Sequence, residues 1–229
     1  MTVSVIIPAL NEACALPATL LSVVEQPEFS EAIVVDGGSS DNTCAIVQQS
    51  ADTTPGIQLI HSARGRGAQM NAGARAATGS WLLFLHADTL LPDNAIQEIA
   101  AESARRRAQA GCFHQRFSDP NLRLRFISAI HNLRFQLTGI IYGDQAMFIN
   151  ACLFWELGGF PEQQMEDVLF SETLIRHSRP IMLPASVETD SRKFRQIGEL
   201  RALGYVLGIL ANHETGRPVG HRDFFRNYR

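Results

Sequence analysis

The amino-acid sequence predicts an α/β fold in which a mostly parallel sheet is flanked by helices. In the first half of the 229 residues, apolar runs alternate with helical patterns. Strands that are apolar on both faces need helices on both sides, which is the arrangement of a parallel sheet. Polar residues follow three of the apolar runs, at the sheet edge where open α/β folds bind ligands.

Four strands are predicted in the first half, and helical patterns lie between and after them. The strands cover residues 3–8, 32–37, 57–62 and 81–88. The first helix has an apolar stripe at helical spacing, and Pro17 is tolerated in its first turn. This stripe consists of Leu16, Leu20, Val23 and Val24. Asp41 is an N-cap candidate for the second helix, and residues 65–78 and 93–110 are alanine-rich helical stretches.

The second half changes rhythm at about residue 111. Strands are predicted at 111–117, 146–150 and 180–184, and helices at 122–139 and 165–178. The last 38 residues form a basic tail with eight basic and three acidic side chains. Because no linker, repeat or low-complexity tract interrupts the chain, we expect one domain over 1–229, with an irregular second half.

Charge and cysteine content exclude several classes of protein. The net charge is −3, with 20 basic and 23 acidic residues, which argues against a nucleic-acid partner. Only Lys193 is a lysine, so cationic contacts to phosphate must come almost entirely from arginine. The four cysteines show no CxxC or zinc spacing and are expected to be mostly buried free thiols in a reducing cytoplasm. We expect no signal peptide and no spanning helix, since no apolar run reaches about 20 residues.

The first two predicted strands end on groups that suit a nucleoside. Asp36 is followed by Gly37 and Gly38, so its carboxylate can accept a hydrogen bond from a flat ring such as uracil. The alternative is an ordinary strand–helix turn capped by Asp41. After the first strand, Glu12 suits ribose hydroxyls, and the alternative is an acid that complements the helix dipole.

Two further segments suit a diphosphate and a cation. Arg64 and Arg66 lie in a glycine-containing segment without the ending of a P-loop, and guanidinium groups suit phosphate oxygens. The alternative is a solvated arginine pair at a loosely capped helix. His86 and Asp88 are predicted on the same side of a strand end, where both can ligate Mg²⁺ or Mn²⁺. The alternative for Asp88 is a turn cap.

Acidic residues in the second half suggest acid–base chemistry. Glu166 and Asp167 open a predicted helix, where they either stabilise the helix dipole or supply a general base. Asp144 begins a predicted strand near the same sheet edge.

These motifs together resemble glycosyltransferase family 2, which has the Rossmann-like GT-A fold. The resemblance rests on "VSVIIPALNE", "IVVDGGSSDNT", "RGAQMNAGARAATGSWLLFLHADT", "YGDQAMF" and "GGFPEQQMEDVLFSETL", and it covers about residues 2–184. The chain looks most similar to the short bacterial arsenosugar-biosynthesis-type subgroup, in which "LHADT" replaces the usual "LDADD".

The resemblance implies a nucleotide-binding half at 1–110 and an acceptor and catalytic half at 111–190, followed by the tail at 191–229. Pro8, Ala9 and Glu12 would hold the nucleoside, and Asp36 would contact a uracil-type base. The family's basic segment corresponds to Arg64, Arg66 and Gly67, with Asn71 nearby.

The family's DxD and ED motifs imply the catalytic groups. DxD corresponds to His86-Ala87-Asp88, so Asp88 would hold Mn²⁺ or Mg²⁺ against the diphosphate, while the histidine puts the usual contact of the first aspartate in doubt. ED corresponds to Glu166 and Asp167, with Asp167 as the base of an inverting, single-displacement transfer. Asp144 is placed on the acceptor side.

The implied partners are a nucleotide-diphosphate sugar, with a UDP type favoured, and a small-molecule or lipid-linked acceptor. Since the QxxRW motif and transmembrane helices of processive synthases are missing, one sugar per turnover is expected. The arginines and apolar residues of the helix at 122–139 and the basic tail could cover an acceptor or contact anionic lipid, whereas the favoured interpretation of the helix is a solvated face over a buried stripe. A homodimer is also left open.

Two alternatives compete with sugar transfer. A sugar nucleotidyltransferase should have a glycine-rich loop with a lysine after the first strand, and "PALNEACALP" has neither. A non-catalytic nucleotide-binding relative is supported by His86, whereas the retention of Asp88 and Asp167 argues against it.

Overall fold

The computed structural model describes residues 1–119 and 121–192, which fold around one eight-stranded sheet. The strand order is β3-β2-β1-β4-β7-β6-β8-β5. The strands are β1 Val3–Ala9, β2 Glu31–Asp36, β3 Ile57–His61, β4 Trp81–Phe84, β5 Thr89–Leu90, β6 Ala110–Phe117, β7 Phe148–Asn150 and β8 Ile181–Thr189.

Helices connect most of these strands and cover both faces of the sheet. They are α1 Leu16–Val24, α2 Thr43–Thr53, α3 Arg66–Ala76, α4 Ala95–Arg106, α5 Leu122–Thr138, α6 Ala151–Glu156 and α7 Glu166–Ile175, with a 3₁₀ turn at Gly143–Gln145. Local chemistry sets several boundaries. Asn121 and Asn150 cap α5 and α6 through their side-chain oxygens, and Gly139 ends α5 in the left-handed conformation.

The parallel sheet predicted for the first half is confirmed. β1 pairs in parallel with both β2 and β4, and β2 pairs in parallel with β3. The predicted irregularity of the second half has a clear form: β7 is antiparallel to both neighbours, and β6 pairs in parallel with β8. The carboxyl ends of β1, β2 and β4 therefore lie along one edge.

The core has two layers because alternate residues of a strand face opposite sides of the sheet. Val5 and Ile7 of β1 join one apolar cluster, whereas Ile6 joins the other with Phe84 and Phe160. Ile6 and Ile7 are fully buried. β1, β2 and β4 are buried along their whole length, which explains their continuous apolar sequence, whereas the edge strand β3 exposes Gln58 and His61.

One strand prediction is wrong at the site itself. β4 ends at Phe84, so His86 and Asp88 lie in a turn and do not alternate along a strand. The Phe84 amide still donates to the Met147 carbonyl, but the next turn is closed by a hydrogen bond from the Thr89 amide to the His86 carbonyl, 3.1 Å. β4 ends opposite the start of its short antiparallel partner β7, and the last ladder contact of this segment is the hydrogen bond from the Leu85 amide to the Ile6 carbonyl of β1, 2.9 Å.

Other differences arise from long-range pairing. β8 continues past Pro184 to Thr189, because a register shift between Phe113 and His114 of β6 leaves Pro184 outside the ladder. β5 and α6 were not predicted. The basic tail, apart from its first two residues, lies outside the described residues, and among the described helices none has the length and apolarity that crossing a membrane requires.

Candidate functional site

A cavity of about 390 Å³ opens at the carboxyl ends of β1 and β4. This volume falls within the range of small-molecule sites, roughly 300–1,000 Å³. Its walls include eleven of the thirteen residues predicted from the sequence. These are Pro8, Ala9, Glu12, Arg64, Arg66, Gly67, His86, Asp88, Asp144, Glu166 and Asp167.

Asp36 lies beside the cavity without being one of its lining residues. It pairs in register with Ala9, which does line the cavity, and it is 2% exposed. Its carboxylate accepts hydrogen bonds from the Gly38 amide at 2.9 Å and the Ser39 amide at 3.1 Å. Burial alone would raise the pKa of Asp36, but these hydrogen bonds outweigh it and lower the pKa, so the group is a fixed anion.

Gln69 forms the floor between the first two strands and was missed by the sequence reasoning. Its side-chain amide donates to the Ala9 carbonyl at 2.9 Å and to the Val35 carbonyl at 2.8 Å. Gly37 packs against it so closely that an added Cβ would lie 3.0 Å from the Gln69 amide. In the sequence, a glutamine within an alanine- and glycine-rich helical stretch is the feature that could have pointed to this residue.

Asn71 has a different role from the one that the resemblance implies. Its side chain donates to the Phe160 carbonyl at 2.7 Å and accepts from the Phe160 amide at 2.9 Å. Both polar ends of the side chain are therefore used within the protein. Asn71 does not line the cavity. It anchors the start of the segment 160–165, and residues 162–165 of that segment do line the cavity.

Arg66 joins the two halves of the site. Its Nε lies 2.7 Å from Glu166 Oε1, and the Glu166 side chain is only 6% exposed. Burial raises the pKa of Glu166, and the Asp167 carboxylate adds to that rise, although the Arg66 cation opposes it. For Arg66 burial opposes the charge, but the carboxylates of Glu166 and Asp167 outweigh it and raise the pKa.

Asp167 is held by two backbone donors. Its Oδ2 accepts from the Gly143 amide at 2.7 Å, and its Oδ1 accepts from the Val168 amide at 2.8 Å. A Cβ on Gly143 would lie 2.5 Å from His86 Nε2 and 3.4 Å from Asp167 Oδ2. Residues 86, 143 and 167 therefore meet at one point of the cavity.

The His86–Asp88 turn supplies an oxygen ligand to the same cavity. Asp88 is 9% exposed, and its carbonyl accepts from the Asp190 amide at 2.9 Å. Burial and the nearby Arg66 lower the pKa of His86, against the opposite effect of the surrounding carboxylates, so a neutral imidazole is favoured. Carboxylate oxygens suit Mg²⁺ or Mn²⁺, which keep open positions for phosphate oxygens. The donor set therefore fits such an ion.

The cavity wall around Asp144 includes two residues that were not predicted as site residues. His131 of α5 and Tyr142 line the cavity beside Asp144, and His131 Nδ1 lies 3.7 Å from Asp144 Oδ2. The Arg134 guanidinium lies 3.3 Å from the centre of the Tyr142 ring. Burial raises the pKa of Tyr142 to about 12, so its hydroxyl keeps its proton at neutral pH. Tyr142 begins the "YGDQAMF" stretch, whereas no sequence motif marks His131, because only the fold places α5 against the 3₁₀ turn.

Comparisons with known proteins were made by sequence and by structure. The profile of the family described as glycosyl transferase family 2 matches residues 4–155 of the chain. Over 92 residues the chain is 45% identical to a PGL/p-HBAD biosynthesis glycosyltransferase of Mycobacterium bovis, which covers 38% of this chain and 36% of the relative. An uncharacterized glycosyltransferase of Nostoc is 37% identical over 102 residues, covering 43% and 32%. The matched part spans about a third of these relatives.

Solved structures resemble the chain over most of its length. The structure of S. aureus TarS 1-349 superposes with a TM-score of 0.67 at 20% identity, covering 90% of this chain and 66% of that one. The mannosyltransferase PcManGT from Pyrobaculum calidifontis, in complex with GDP-Man and Mn²⁺, has a TM-score of 0.65 at 26% identity and covers 81% and 56%. The predicted GT-A fold is confirmed by these neighbours.

Proposed function

The chain belongs to glycosyl transferase family 2, and from this premise we propose that it transfers one sugar from a nucleotide-diphosphate sugar to an acceptor hydroxyl, with inversion and with the help of a divalent cation. The observation that carries the proposal is the meeting of Asp88 and Asp167 in one cavity. The first follows β4 and the second lies in the first turn of α7, so acids from distant parts of the chain line one space with an arginine beside them, which supports a shared ligand.

The donor would lie along the ends of β1 and β2. Pro8, Ala9 and Glu12 would hold the nucleoside, and Asp36, an anion at the end of the neighbouring strand, would accept from the base. This last contact favours a UDP-type donor, although PcManGT is described with GDP-Man and TarS with UDP-GlcNAc.

The diphosphate would lie between Arg64, Arg66 and the His86–Asp88 turn. Arg64 is exposed at the cavity mouth, where it can meet phosphate oxygens, whereas Arg66 is tied to Glu166 and contributes a fixed positive charge. Gly67 leaves no room for a side chain, since a Cβ there would lie 2.5 Å from the Pro161 carbonyl. A divalent cation, when bound at Asp88, would stabilise the negative charge of the leaving diphosphate.

Asp167 would remove the proton of the attacking hydroxyl. Each of its oxygens accepts one backbone hydrogen bond, so the carboxylate is oriented and each oxygen keeps a lone pair for the acceptor. Glu166 is engaged by Arg66 and would orient that cation. One carboxylate that acts as the general base is what a one-step displacement with inversion requires.

The acceptor would enter beside Asp144, His131 and Tyr142, which present hydrogen-bonding groups on the side away from the nucleoside. A small molecule or the polar head of a lipid-linked acceptor fits this description. We propose transfer of one sugar per turnover because the QxxRW motif of processive relatives is missing. Membership of the arsenosugar-type subgroup is supported by "LHADT" alone.

A thermal-shift panel with UDP, GDP, CDP and TDP, each with and without Mn²⁺, tests the donor site. A ligand at 100 times its Kd stabilises the folded state by about 2.7 kcal/mol, so true binding is readily visible. We expect UDP with Mn²⁺ to raise the Tm most. If none of the four nucleotides raises the Tm with Mn²⁺ present, the donor-site assignment is wrong.

A further inference from the structure

We propose that Asp36, Cys44 and His61 form a zinc-type metal site, distinct from the cation site at Asp88, and that a metal ion there excludes the nucleobase. In the part of the chain that the structure describes, one group of three potential metal ligands comes together, and it is this one. One ligand atom from each residue lies within 4.8 Å of the others.

The backbone holds two of these ligands at the spacing that zinc requires. Asp36 and His61 are register partners at the ends of β2 and β3, so their side chains lie on the same face of the sheet, next to each other. His61 Nδ1 lies 3.4 Å from Asp36 Oδ2. Two ligands that bind zinc tetrahedrally at about 2.0–2.1 Å lie about 3.3–3.4 Å apart, so this pair needs almost no rearrangement.

Cys44 completes a set of ligands that is unlike the one at Asp88. It lies in the first turn of α2, its side chain is half-buried, and it interacts with the Asp36 carboxylate. A thiolate, an imidazole and a carboxylate together favour zinc or another borderline metal, whereas oxygen-only sets favour Mg²⁺ and Mn²⁺. Three protein ligands leave a fourth position open, and the His61 side chain, which is 68% exposed, lets solvent reach it.

The site overlaps the position proposed for the nucleobase. A metal ion bound to Asp36 would use the carboxylate that is expected to accept from the base ring. Zinc and nucleotide would therefore compete, while Mn²⁺ at Asp88 would promote nucleotide binding. This competition rests on the proposed function, whereas the metal site itself does not.

Titration with Co²⁺ as a spectroscopic substitute for zinc tests the site directly, because only thiolate ligation produces an intense near-ultraviolet charge-transfer band. Wild-type protein is expected to show the full charge-transfer band after one equivalent of Co²⁺ has been added. Cys44→Ser should lose it, and His61→Gln should weaken Co²⁺ binding at least tenfold. Cys14→Ser and Cys152→Ser, which remove the two exposed thiols, are matched controls that should keep it.

The outcomes separate the metal site from the donor site. A band that persists unchanged in Cys44→Ser overturns the metal site, provided that circular dichroism shows the variant is folded. Adding UDP with Mg²⁺ should reduce the band in the wild type. If UDP raises the Tm but leaves the band intact, the site exists without excluding the base; if UDP does not bind at all, the donor assignment fails instead.

Discussion

At the scale of single residues, the site contains carboxylates that lie in or beside one cavity but differ in their environment. Asp36 is fixed by backbone amides, Glu166 by an arginine, and Asp167 by one amide on each oxygen. These differences assign separate roles to acids that a sequence motif shows only as Asp or Glu.

Asp167→Asn should lower kcat by roughly 10²–10⁴ while nucleotide binding is nearly unchanged, since the amide oxygen can accept one of the two backbone hydrogen bonds but the group cannot take a proton. Steady-state kinetics with the donor identified by the thermal-shift panel checks this. Glu172→Gln, on the same helix but outside the cavity lining, is the control. An unchanged kcat in Asp167→Asn would remove this residue from the role of base.

Asp88→Ala should abolish the enhancement of nucleotide binding by Mn²⁺, because the proposed cation contact is lost. Calorimetric titration of UDP with and without Mn²⁺ measures the effect. Asp93→Ala, an exposed acid on the same connection, should behave like the wild type. The metal assignment is contradicted if Mn²⁺ still tightens UDP binding in Asp88→Ala.

At the scale of secondary-structure elements, the apolar runs predicted the parallel strands well because burial on both faces leaves a local signal. The ends of strands and the short elements β5 and α6 leave no such local signal in the sequence. Thr89 and Leu90 of β5 pair with Thr189 and Glu188, which are far away in the sequence, and β4 ends opposite the start of its antiparallel partner β7. The same limit explains the site: Asp88 and Asp167 stand in recognisable motifs, whereas His131 reaches the cavity only through the packing of α5.

Glu31 ties the start of β2 to two neighbouring segments. Its carboxylate accepts hydrogen bonds from Ser4 Oγ, from the amide and hydroxyl of Thr78, both at 2.7 Å, and from the Gly79 amide at 3.2 Å. Burial opposes the charge, but these donors outweigh it and lower the pKa of Glu31 below its ordinary value of 4.5.

Glu31→Gln should reduce the free energy of unfolding by about 1–3 kcal/mol at pH 7, because a buried set of donors loses its anionic acceptor. With the folded-state pKa lowered, the stabilisation is complete above about pH 4.5 and is lost as the pH falls through the folded-state value. The difference between variant and wild type should therefore shrink in acid, which urea unfolding across pH measures. Glu28→Gln, an exposed neighbour, is the control, and a pH-independent difference would contradict the account.

At the scale of the whole molecule, α3 links the part of the cavity formed by the first half of the chain to the part formed by the second half. Three consecutive contacts run from this helix to the segment that leads into α7: Arg66 with Glu166, Gly67 against Pro161, and Asn71 with Phe160. Both halves of the cavity therefore depend on one short helix.

Asn71→Ala should lower the free energy of unfolding by about 1–3 kcal/mol, since the buried amide and carbonyl of Phe160 lose their partner. UDP binding should stay within a few-fold of the wild type, because the Asn71 side chain is not in the cavity wall. Thermal unfolding and calorimetry measure the two quantities. Loss of UDP binding in a variant that keeps its stability would restore the nucleotide contact that the family resemblance implies.

The space available at Gly143 depends on the side chain at position 86. Its φ lies outside the left-handed range, so the backbone there tolerates any residue, and only the His86 ring prevents a side chain. A homologue with the shorter aspartate at position 86 has room for alanine or serine at 143, whereas one with histidine does not. The residues at positions 86 and 143 should therefore covary across the family. If an alignment of relatives shows histidine at 86 together with bulky residues at 143, this packing is peculiar to one protein.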